Sequence, residues 1–563
     1  MLASRHGLRP SHPLGGISWI VAAILCWSAA ASAADPLHVQ IDKLVASQTP
    51  DFDKLAAPIA GDEEFLRRIT LDLTGMVPNL RQAREFLADA TPDKRVKLID
   101  RLLASPEHAR HMQREFDVML MRRLPATHIP VAEWDKFLRD SFAQNKPWDQ
   151  LVREILAADG SDPAQRGPAR FYLARNGDLH EITRDVGKLF LGTNLECAQC
   201  HDHPQVDEWK QEHYYGLAAF FVRSFVHTDK DKKVTLAEKA EGEVSFESVF
   251  EIRDKKSKGP KTSGPKLFSA ATISEPKFAA PPEAYTVAPN DKDKAVRPVP
   301  KFSRRAKFAE FIASVENRRF CRSTANRLWS MMMGRGIVHP QEMDHALNPP
   351  SHPLLLALLT EELAAREMNV RDFLRELALT QTYQRSSQRL TVAPDQPEPA
   401  ESTFAIAPLK PLTPSQFAWA MLVATDELDL QRRAQGDKFS EDTFLANTEQ
   451  RFVQLFGGEP GRPPDSFAST ADQVLFLAND PLVLNLLKPR SDNLAERLVK
   501  LPADNPVAVA EELFLSTLTR RPTLDEVKDV TSYLAGKAGD PRSPAIQELI
   551  WAAISSSEFR FNH

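Results

Sequence analysis

Apolar side chains at three- and four-residue spacing recur along most of the chain, and this spacing restricts the fold more than any other feature. Between Pro36 and Ala158 it predicts helical segments at 62–74, 80–88, 94–104, 108–122, 131–143 and 147–157. Short joints that contain Pro or Asp separate these segments. A further helix is expected from Asp178 to Phe190, and helical spacing resumes at Ala306 and continues to the C-terminus. The sequence therefore predicts a mostly α protein.

The composition further restricts the class of protein and the kinds of function. The chain has 563 residues, 42% of them hydrophobic and 26% charged, which is typical of a soluble globular protein with two to four domains. The formal net charge of −5 gives no sign of a nucleic-acid-binding surface, which would need a clustered excess of basic residues. We therefore expect no nucleic-acid partner. The sequence shows no Ser-His-Asp elbow, phosphate-binding glycine loop or dinucleotide fingerprint, and with 22 glycines in 563 residues it does not indicate cofactor binding by a glycine-rich loop.

Between Val226 and about Arg304 the composition changes to lysine runs and many prolines. An alternating stretch from Val244 to Ile252 predicts one or two strands inside an otherwise irregular insertion. The lysine runs are either solvated faces or an interaction surface. We therefore predict a multi-helix, two-domain protein, with helical domains at 34–225 and 304–563 and a partly β insertion at 226–303.

Residues 66–107 and 513–558 share a layout of helix, proline joint, helix, linker and helix. Either the chain contains an internal duplication, or two ordinary three-helix units look alike. If the repeat is real, the two ends of the chain are expected to pack against each other as a pseudo-symmetric pair.

The first 33 residues have the features of a secretory signal peptide. Arg5 and Arg9 precede an apolar run from Ile17 to Trp27, and Ala31-Ser32-Ala33 offers a cleavage site. An uncleaved anchor is the alternative, although the run is short for a bilayer span. No later stretch is long and apolar enough to cross a membrane. We therefore predict a periplasmic or secreted protein with no membrane span in the mature chain.

The candidate site lies in Asn194-Leu195-Glu196-Cys197-Ala198-Gln199-Cys200-His201-Asp202-His203-Pro204. Asn194 could cap a short helix that places Cys197, Cys200 and His201 near one another, with Pro204 ending it. Cys-x-x-Cys-His is the attachment signature of haem c, in which the two thiols bind the porphyrin and the histidine reaches the iron. Cys197, Cys200 and His201 are thus the predicted cofactor-binding residues, and export agrees with this chemistry.

Two other interpretations of the motif stay open. His203 adds a fourth nitrogen or sulfur donor within seven residues, which suits a compact zinc or non-haem iron site. Alternatively, Cys197 and Cys200 form a local disulfide, which an oxidising compartment permits. Cys321 and the methionines Met331 to Met333 fall in helical patterns and are expected in the core.

The chain resembles a pair of domains named for planctomycetes, a cytochrome-like domain followed by a C-terminal domain, both of unknown function. The N-terminal resemblance rests on Phe65 to Gly75, Lys97 to Ser105, Phe190-Leu191-Gly192, the motif from Cys197 to Pro204, and Tyr214 to Phe221. The C-terminal resemblance rests on Asn326 to Trp329, Gly334-Arg335-Gly336, Asn348 to Pro353, Thr382-Tyr383, Asn479-Asp480-Pro481 and Ser557-Glu558-Phe559. The chain departs from the pattern at Gln205, where the family usually has Phe, and at Cys321, where alanine is expected.

The resemblance places His352 in a recurring loop that could meet the first motif in space. His352 is therefore the predicted second axial ligand of a haem, or a third metal ligand beside His201 and His203. The family carries no established activity.

Three functions follow from these features. The first is an exported c-type haem protein that carries electrons or senses a small molecule, with a redox partner protein. The second is a metal-dependent enzyme with zinc or iron, in which Asp202 or Asp207 serves as general base. The third is a helical scaffold with a local disulfide. Neither enzyme activity nor the oligomeric state follows from the sequence.

Overall fold

Helices make up most of the protein in its computed structural model, which describes residues 35–268, 270–388, 399–458 and 470–563. The predicted mostly α class is confirmed. The signal peptide predicted at 1–33 lies outside the described residues. Within the described ranges, no helix has the length and apolar character needed to cross a membrane.

From residue 35, where the described part begins, ten α-helices precede the motif, and several begin or end at the residues that the apolar spacing predicts. They are α1 Leu37–Gln48, α2 Phe52–Leu55, α3 Asp62–Thr74, α4 Leu80–Ala88, α5 Lys94–Leu103, α6 Pro106–Met121, α7 Val131–Ala143, α8 Trp148–Ala157, α9 Arg170–Leu173 and α10 Leu179–Leu191. Asn79 and Gln82 form a capping box at the start of α4, and Ser105 caps α6.

After the motif, the chain forms α11 and then a region of short strands. The elements are α11 Gln211–Ala218, β1 Ser224–Thr228, β2 Val234–Glu238, β3 Val244–Phe246, α12 Val249–Arg253, β4 Lys261–Ser263, β5 Tyr285–Val287 and β6 Val299–Pro300. β1 pairs with β2, β3 with β4 and β5 with β6, each in antiparallel register. The predicted strand-containing insertion is confirmed, but the second half of the Val244–Ile252 stretch is a helix rather than a strand.

The insertion is fixed to the rest of the chain by Arg304, whose side chain is buried. Its Nε lies 2.6 Å from Glu275 and its Nη2 lies 2.7 Å from Glu243. The Arg304 backbone N–H donates to Glu238 Oε1 at 2.8 Å. A buried guanidinium needs such partners, so these acidic residues hold strands and loops of the insertion against the helix that begins at Arg304.

Helices dominate again from residue 304. They are α13 Arg304–Ile312, α14 Arg318–Met333, α15 Pro353–Ala365, α16 Val370–Leu379, α17 Gln381–Gln384, α18 Pro414–Ala424, α19 Glu427–Gln435, α20 Glu441–Phe456, α21 Ala471–Asn479, α22 Pro481–Leu486, α23 Leu494–Lys500, α24 Pro506–Leu518, α25 Leu524–Leu534 and α26 Arg542–Ser555. Strand β7 Lys410–Pro411 pairs with β8 Phe561–Asn562.

Two hydrophobic clusters form the core. The larger runs from Leu37 to Ala405 and combines helices from both sides of the insertion. The smaller joins the C-terminal helices to Leu71, Met76 and Val77 of the first segment. Residues 37–563 form one compact unit by their contacts. The boundaries at 225 and 303 stay a prediction.

The two halves of the suggested duplication touch each other. Arg67 of α3 donates to the backbone carbonyls of Thr517 and Phe559 at 3.2 and 2.9 Å. The second helix of each unit starts in the same way, since Thr523 and Glu526 form a capping box on α25 as Asn79 and Gln82 do on α4. Packing of the two ends is therefore observed, while their pseudo-symmetry stays a prediction.

Candidate functional site

The motif follows directly from the end of α10. Gly192 terminates this helix in the left-handed conformation, with φ of 62°, which residues with a Cβ adopt at a cost. The next residues pair with the C-terminal half of the chain, because Asn194 N–H donates to Glu342 O at 2.9 Å and Thr193 bridges to Met343. The segment that precedes the motif is thus held from both sides.

The cysteines lie in one short turn. Residues Cys197–Gln199 form a single 3₁₀ turn rather than the expected α-helix, and the backbone N–H groups of Cys200 and His201 both donate to Cys197 O. Ala198 and Leu195 are buried and anchor the turn in the core. Cys197 and Cys200 are exposed free thiols. Two accessible sulfur nucleophiles therefore lie within four residues of each other.

His201 has a hydrogen bond that sets its tautomer. Its Nδ1 lies 2.6 Å from the backbone carbonyl of Asp202, so Nδ1 carries the proton and donates it. Within the described residues Nε2 makes no hydrogen bond, and in this tautomer it has a free lone pair. The ring stacks on Phe250 with centroids 4.3 Å apart. An Nδ1–H donated to a carbonyl is the arrangement found in metal-bound histidines.

His203 has the opposite arrangement. Its Nδ1 accepts hydrogen bonds from the backbone N–H groups of Val206 at 3.0 Å and Gln205 at 3.3 Å. The proton of the neutral ring therefore sits on Nε2, which is then a donor and not a ligand. Burial, followed by the nearby His345 and His201, lowers the pKa of His203, which keeps the ring neutral. His203 closes the loop that leads to Trp209 and does not present a metal ligand.

The structure adds His345, which the sequence analysis missed. Its ring contacts the edge of Trp209, with centroids 4.8 Å apart, and Trp209 also contacts His203. Its Nδ1 accepts from Leu347 N–H at 3.2 Å, which again places the proton on Nε2. No spacing in the sequence connects His345 with a motif more than 140 residues earlier. Tertiary contacts do so, among them the bridge between Thr193 and Met343 and the Asn194 N–H bond to Glu342 O.

His352, by contrast, is not brought together with His201. It is buried at the start of α15, where Nε2 lies 2.9 Å from Thr49 Oγ1 and Nδ1 lies 3.0 Å from Ser351 Oγ. Its ring packs on Phe404. Both nitrogens therefore already have hydroxyl partners. The bond to Thr49, which follows α1 directly, joins α1 to the start of α15.

The other residues singled out in the sequence cap a helix, lie at the surface or are buried in the core. Asp202 Oδ1 accepts from the backbone N–H of Gln211 at 2.8 Å and so caps α11. Asp207 is exposed. Cys321 is fully buried, and burial raises the pKa of its thiol to about 11. Met332 and Met333 are buried in the larger cluster, so the expected core positions of Cys321 and these two methionines are confirmed.

Helices α11 and α12 hold the motif in place. Gln211 Nε2 donates to the carbonyls of Gln199 and Glu247, and Tyr215 OH donates to the Gln199 carbonyl at 3.0 Å. Val249 N–H donates to Cys200 O at 3.0 Å. The insertion is therefore part of the site, because it supplies α12 as an apolar neighbour of Cys200 and His201.

These residues fit a haem c better than a metal ion alone. A haem c needs two accessible thiols, a histidine with a free Nε2 and an apolar neighbour, and Cys197, Cys200, His201 and Phe250 supply them. In the described parts of the chain, no three His, Cys, Asp or Glu side chains are grouped so that they could hold a metal ion. The zinc or iron alternative stays a prediction that this geometry does not favour.

Comparisons with known proteins agree with the resemblance seen in the sequence. Residues 40–225 match the family model PSCyt2, described as a protein of unknown function (DUF1549). Residues 304–454 match PSD1, also described as a protein of unknown function (DUF1553). No curated protein and no solved structure matches the chain. The chain therefore contains, in this order, a segment of the planctomycete cytochrome-like PSCyt2 family and a segment of the planctomycete C-terminal PSD1 family.

Proposed function

We propose that the chain is an exported c-type haem protein with an electron-transfer or other redox role. Cys197 and Cys200 would hold the haem covalently and His201 would ligate its iron through Nε2. The observation that supports this most directly is the tautomer of His201, since its Nδ1 faces a carbonyl whereas the Nδ1 atoms of His203 and His345 face N–H groups. The cytochrome-like name of the matched family agrees with the proposal.

The protein's own groups have defined tasks in this function. Each thiol would add its sulfur and its hydrogen across one vinyl group, so that no leaving group or oxidant is required. The Asp202 carbonyl keeps the proton of His201 on Nδ1. Helix α12 shields the His201 ring from water on the face that Phe250 covers. When bound, the haem supplies reversible one-electron chemistry.

The test is covalent haem attachment in the exported protein. The chain with its own signal peptide is produced in a bacterial host that matures c-type cytochromes, and the purified protein is examined by pyridine haemochrome spectrum and intact mass. We expect one haem per chain. Cys197→Ala, Cys200→Ala and His201→Ala should lower the covalent haem content at least tenfold, because each removes an attachment atom or the iron ligand.

Two controls make the result specific. Cys321→Ala removes a thiol from the core, and His203→Ala removes the neighbouring imidazole; both variants should keep the haem. Colourless protein with a Cys197–Cys200 disulfide would instead favour the scaffold function. Stoichiometric zinc or iron without porphyrin, lost in His203→Ala, would favour the metal-dependent enzyme.

A further inference from the structure

The surface beside the motif is apolar and exposed. Val249, Phe250 and Ile252 of α12 are 44, 42 and 52% exposed, although all three are large hydrophobic residues. The same short helix is joined to the motif, through the Val249 N–H bond to Cys200 O and the contact between Phe250 and His201. Exposed apolar side chains grouped in this way are typical of an interaction surface.

A basic rim borders this apolar centre. Between residues 247 and 261 five basic side chains accompany three acidic ones. The acidic groups are already engaged: Asp254 pairs with Arg253, Glu251 pairs with Lys261, and Glu247 accepts from Ser257. Lys255, Lys256 and Lys258 are exposed and form no ion pair within the described residues. The segment from 247 to 261 therefore has an excess of positive charge.

The backbone fixes part of this rim. Lys255 follows the end of α12 in the left-handed conformation, with φ of 56°, and its N–H donates to Ile252 O. Lys256 N–H donates to Glu251 O at 2.8 Å. These two hydrogen bonds fix the backbone positions of Lys255 and Lys256 at the end of α12. This local charge is opposite in sign to that of the whole chain, which has a formal net charge of −5.

From this arrangement we propose that α12 and Lys255, Lys256 and Lys258 form the docking surface for an acidic redox partner protein. Apolar side chains would make the dry centre of the contact, and the lysines would pair with carboxylates around it. The identity of the partner as a redox protein rests on the proposed haem function. The lysines select an acidic protein because they follow directly on α12, the helix that contacts Cys200 and His201.

Carbodiimide cross-linking tests this surface without requiring haem. The exported full-length protein is mixed with flavodoxin, a small acidic electron-transfer protein, and cross-linked lysines are mapped by mass spectrometry. We expect a one-to-one product through Lys255, Lys256 or Lys258 whose yield falls about tenfold at high salt. Lys255→Glu with Lys256→Glu should reduce the yield about tenfold, and Ile252→Asn several-fold.

The matched control is Lys230→Glu with Lys232→Glu. These lysines are also exposed, lie in the turn between β1 and β2, and include one residue with positive φ, Lys232. The control changes the net charge equally and should leave the yield within twofold. Equal losses in both double variants, cross-links spread over other lysines, or no product would overturn the docking surface.

Three further outcomes are informative. Co-sedimentation with vesicles of phosphatidylcholine and phosphatidylglycerol that Lys255→Glu with Lys256→Glu abolishes would assign the surface to a membrane and overturn the proposal. Specific cross-linking by protein without haem would retain the acidic partner but reject the haem function. A haem-loaded protein without specific cross-links would reject this surface alone.

Discussion

At the scale of residues, a buried polar network next to the end of α3 joins three distant parts of the chain. Asp72 is 7% exposed; its carboxylate lies 2.5 Å from Lys410 Nζ and accepts from Tyr383 OH at 2.8 Å and from Asn562 Nδ2 at 2.7 Å. Glu115 of α6 faces the same charges. Burial, with a further contribution from Asp72, raises the pKa of the Glu115 carboxyl to about 7, against an opposing effect of Lys410.

Glu115→Gln should therefore remove a pH-dependent loss of stability. Because the folded-state pKa of about 7 exceeds the ordinary value of 4.5, the folded protein retains a proton that the unfolded chain releases, so stability falls as pH rises from 4.5 to 7. We expect the variant to equal the wild type near pH 4.5 and to be more stable by about 2 kcal/mol at pH 8. Urea unfolding at both pH values measures this difference.

The exposed Glu511 of α24 provides the control, since Glu511→Gln should show no such pH-dependent gain. A Glu115→Gln variant with the same relative stability at both pH values would contradict the raised pKa.

The motif also shows how far single residues could be predicted. The sequence predicts Cys197, Cys200 and His201 as cofactor-binding residues because their spacing matches a haem-attachment pattern, and this assignment stays a prediction. It could not separate His201 from His203, since that difference lies in whether Nδ1 meets a carbonyl or an N–H group. Such hydrogen bonds depend on how the loop between Asp202 and Trp209 closes.

At the scale of elements, the helices from α3 to α8 and helix α10 were predictable because their apolar side chains recur at helical spacing. Helices α4, α6 and α10 also begin with a capping side chain. Helix α12 could not be predicted, because its sequence fits both a strand and a helix. The nine residues from Val244 to Ile252 alternate as in a strand, but Val249 and Ile252 are also three apart, as in a helix. Strand β3 ends after three residues, and the Val249 N–H bonds to Cys200 O instead of to a neighbouring strand. A tertiary contact thus decides the local structure.

Gly192→Ala should loosen the connection between α10 and the motif. Gly192 has φ of 62°, and a Cβ there would lie 3.3 Å from both Gln341 O and Ser323 Oγ. We expect a loss of about 1–2 kcal/mol in the free energy of unfolding, together with a lower haem content. Urea unfolding and the haemochrome spectrum measure the two effects.

Gly458→Ala is the control, because among the residues that the structure describes a Cβ at Gly458 meets nothing within 4 Å. It should change neither quantity. If Gly192→Ala behaved like this control, the left-handed end of α10 would not be what positions the motif.

At the scale of the whole molecule, the two family segments share their interior. The larger cluster contains Phe190 and Leu217 of the first segment together with Phe308 and Trp329 of the second. Phe220 and Phe221 both pack against the Phe308 ring, with centroids 5.0 and 4.9 Å apart. The helical content of each segment was predictable from sequence, but this shared interior was not, because periodicity shows which face of a helix is apolar and not what covers it.

Residues 37–225 expressed alone should therefore not form a stable cooperative fold. Without residues 226–563 the segment exposes its half of the larger cluster. Arg67 also loses the carbonyls of Thr517 and Phe559, and Asp72 loses Lys410 and Asn562. Such losses are costly for buried polar groups. Circular dichroism during urea titration and limited proteolysis compare it with residues 37–563, and co-expression with 226–563 should restore protease resistance. A sharp unfolding transition of the isolated segment would show instead that the predicted boundary at 225 separates two independent domains.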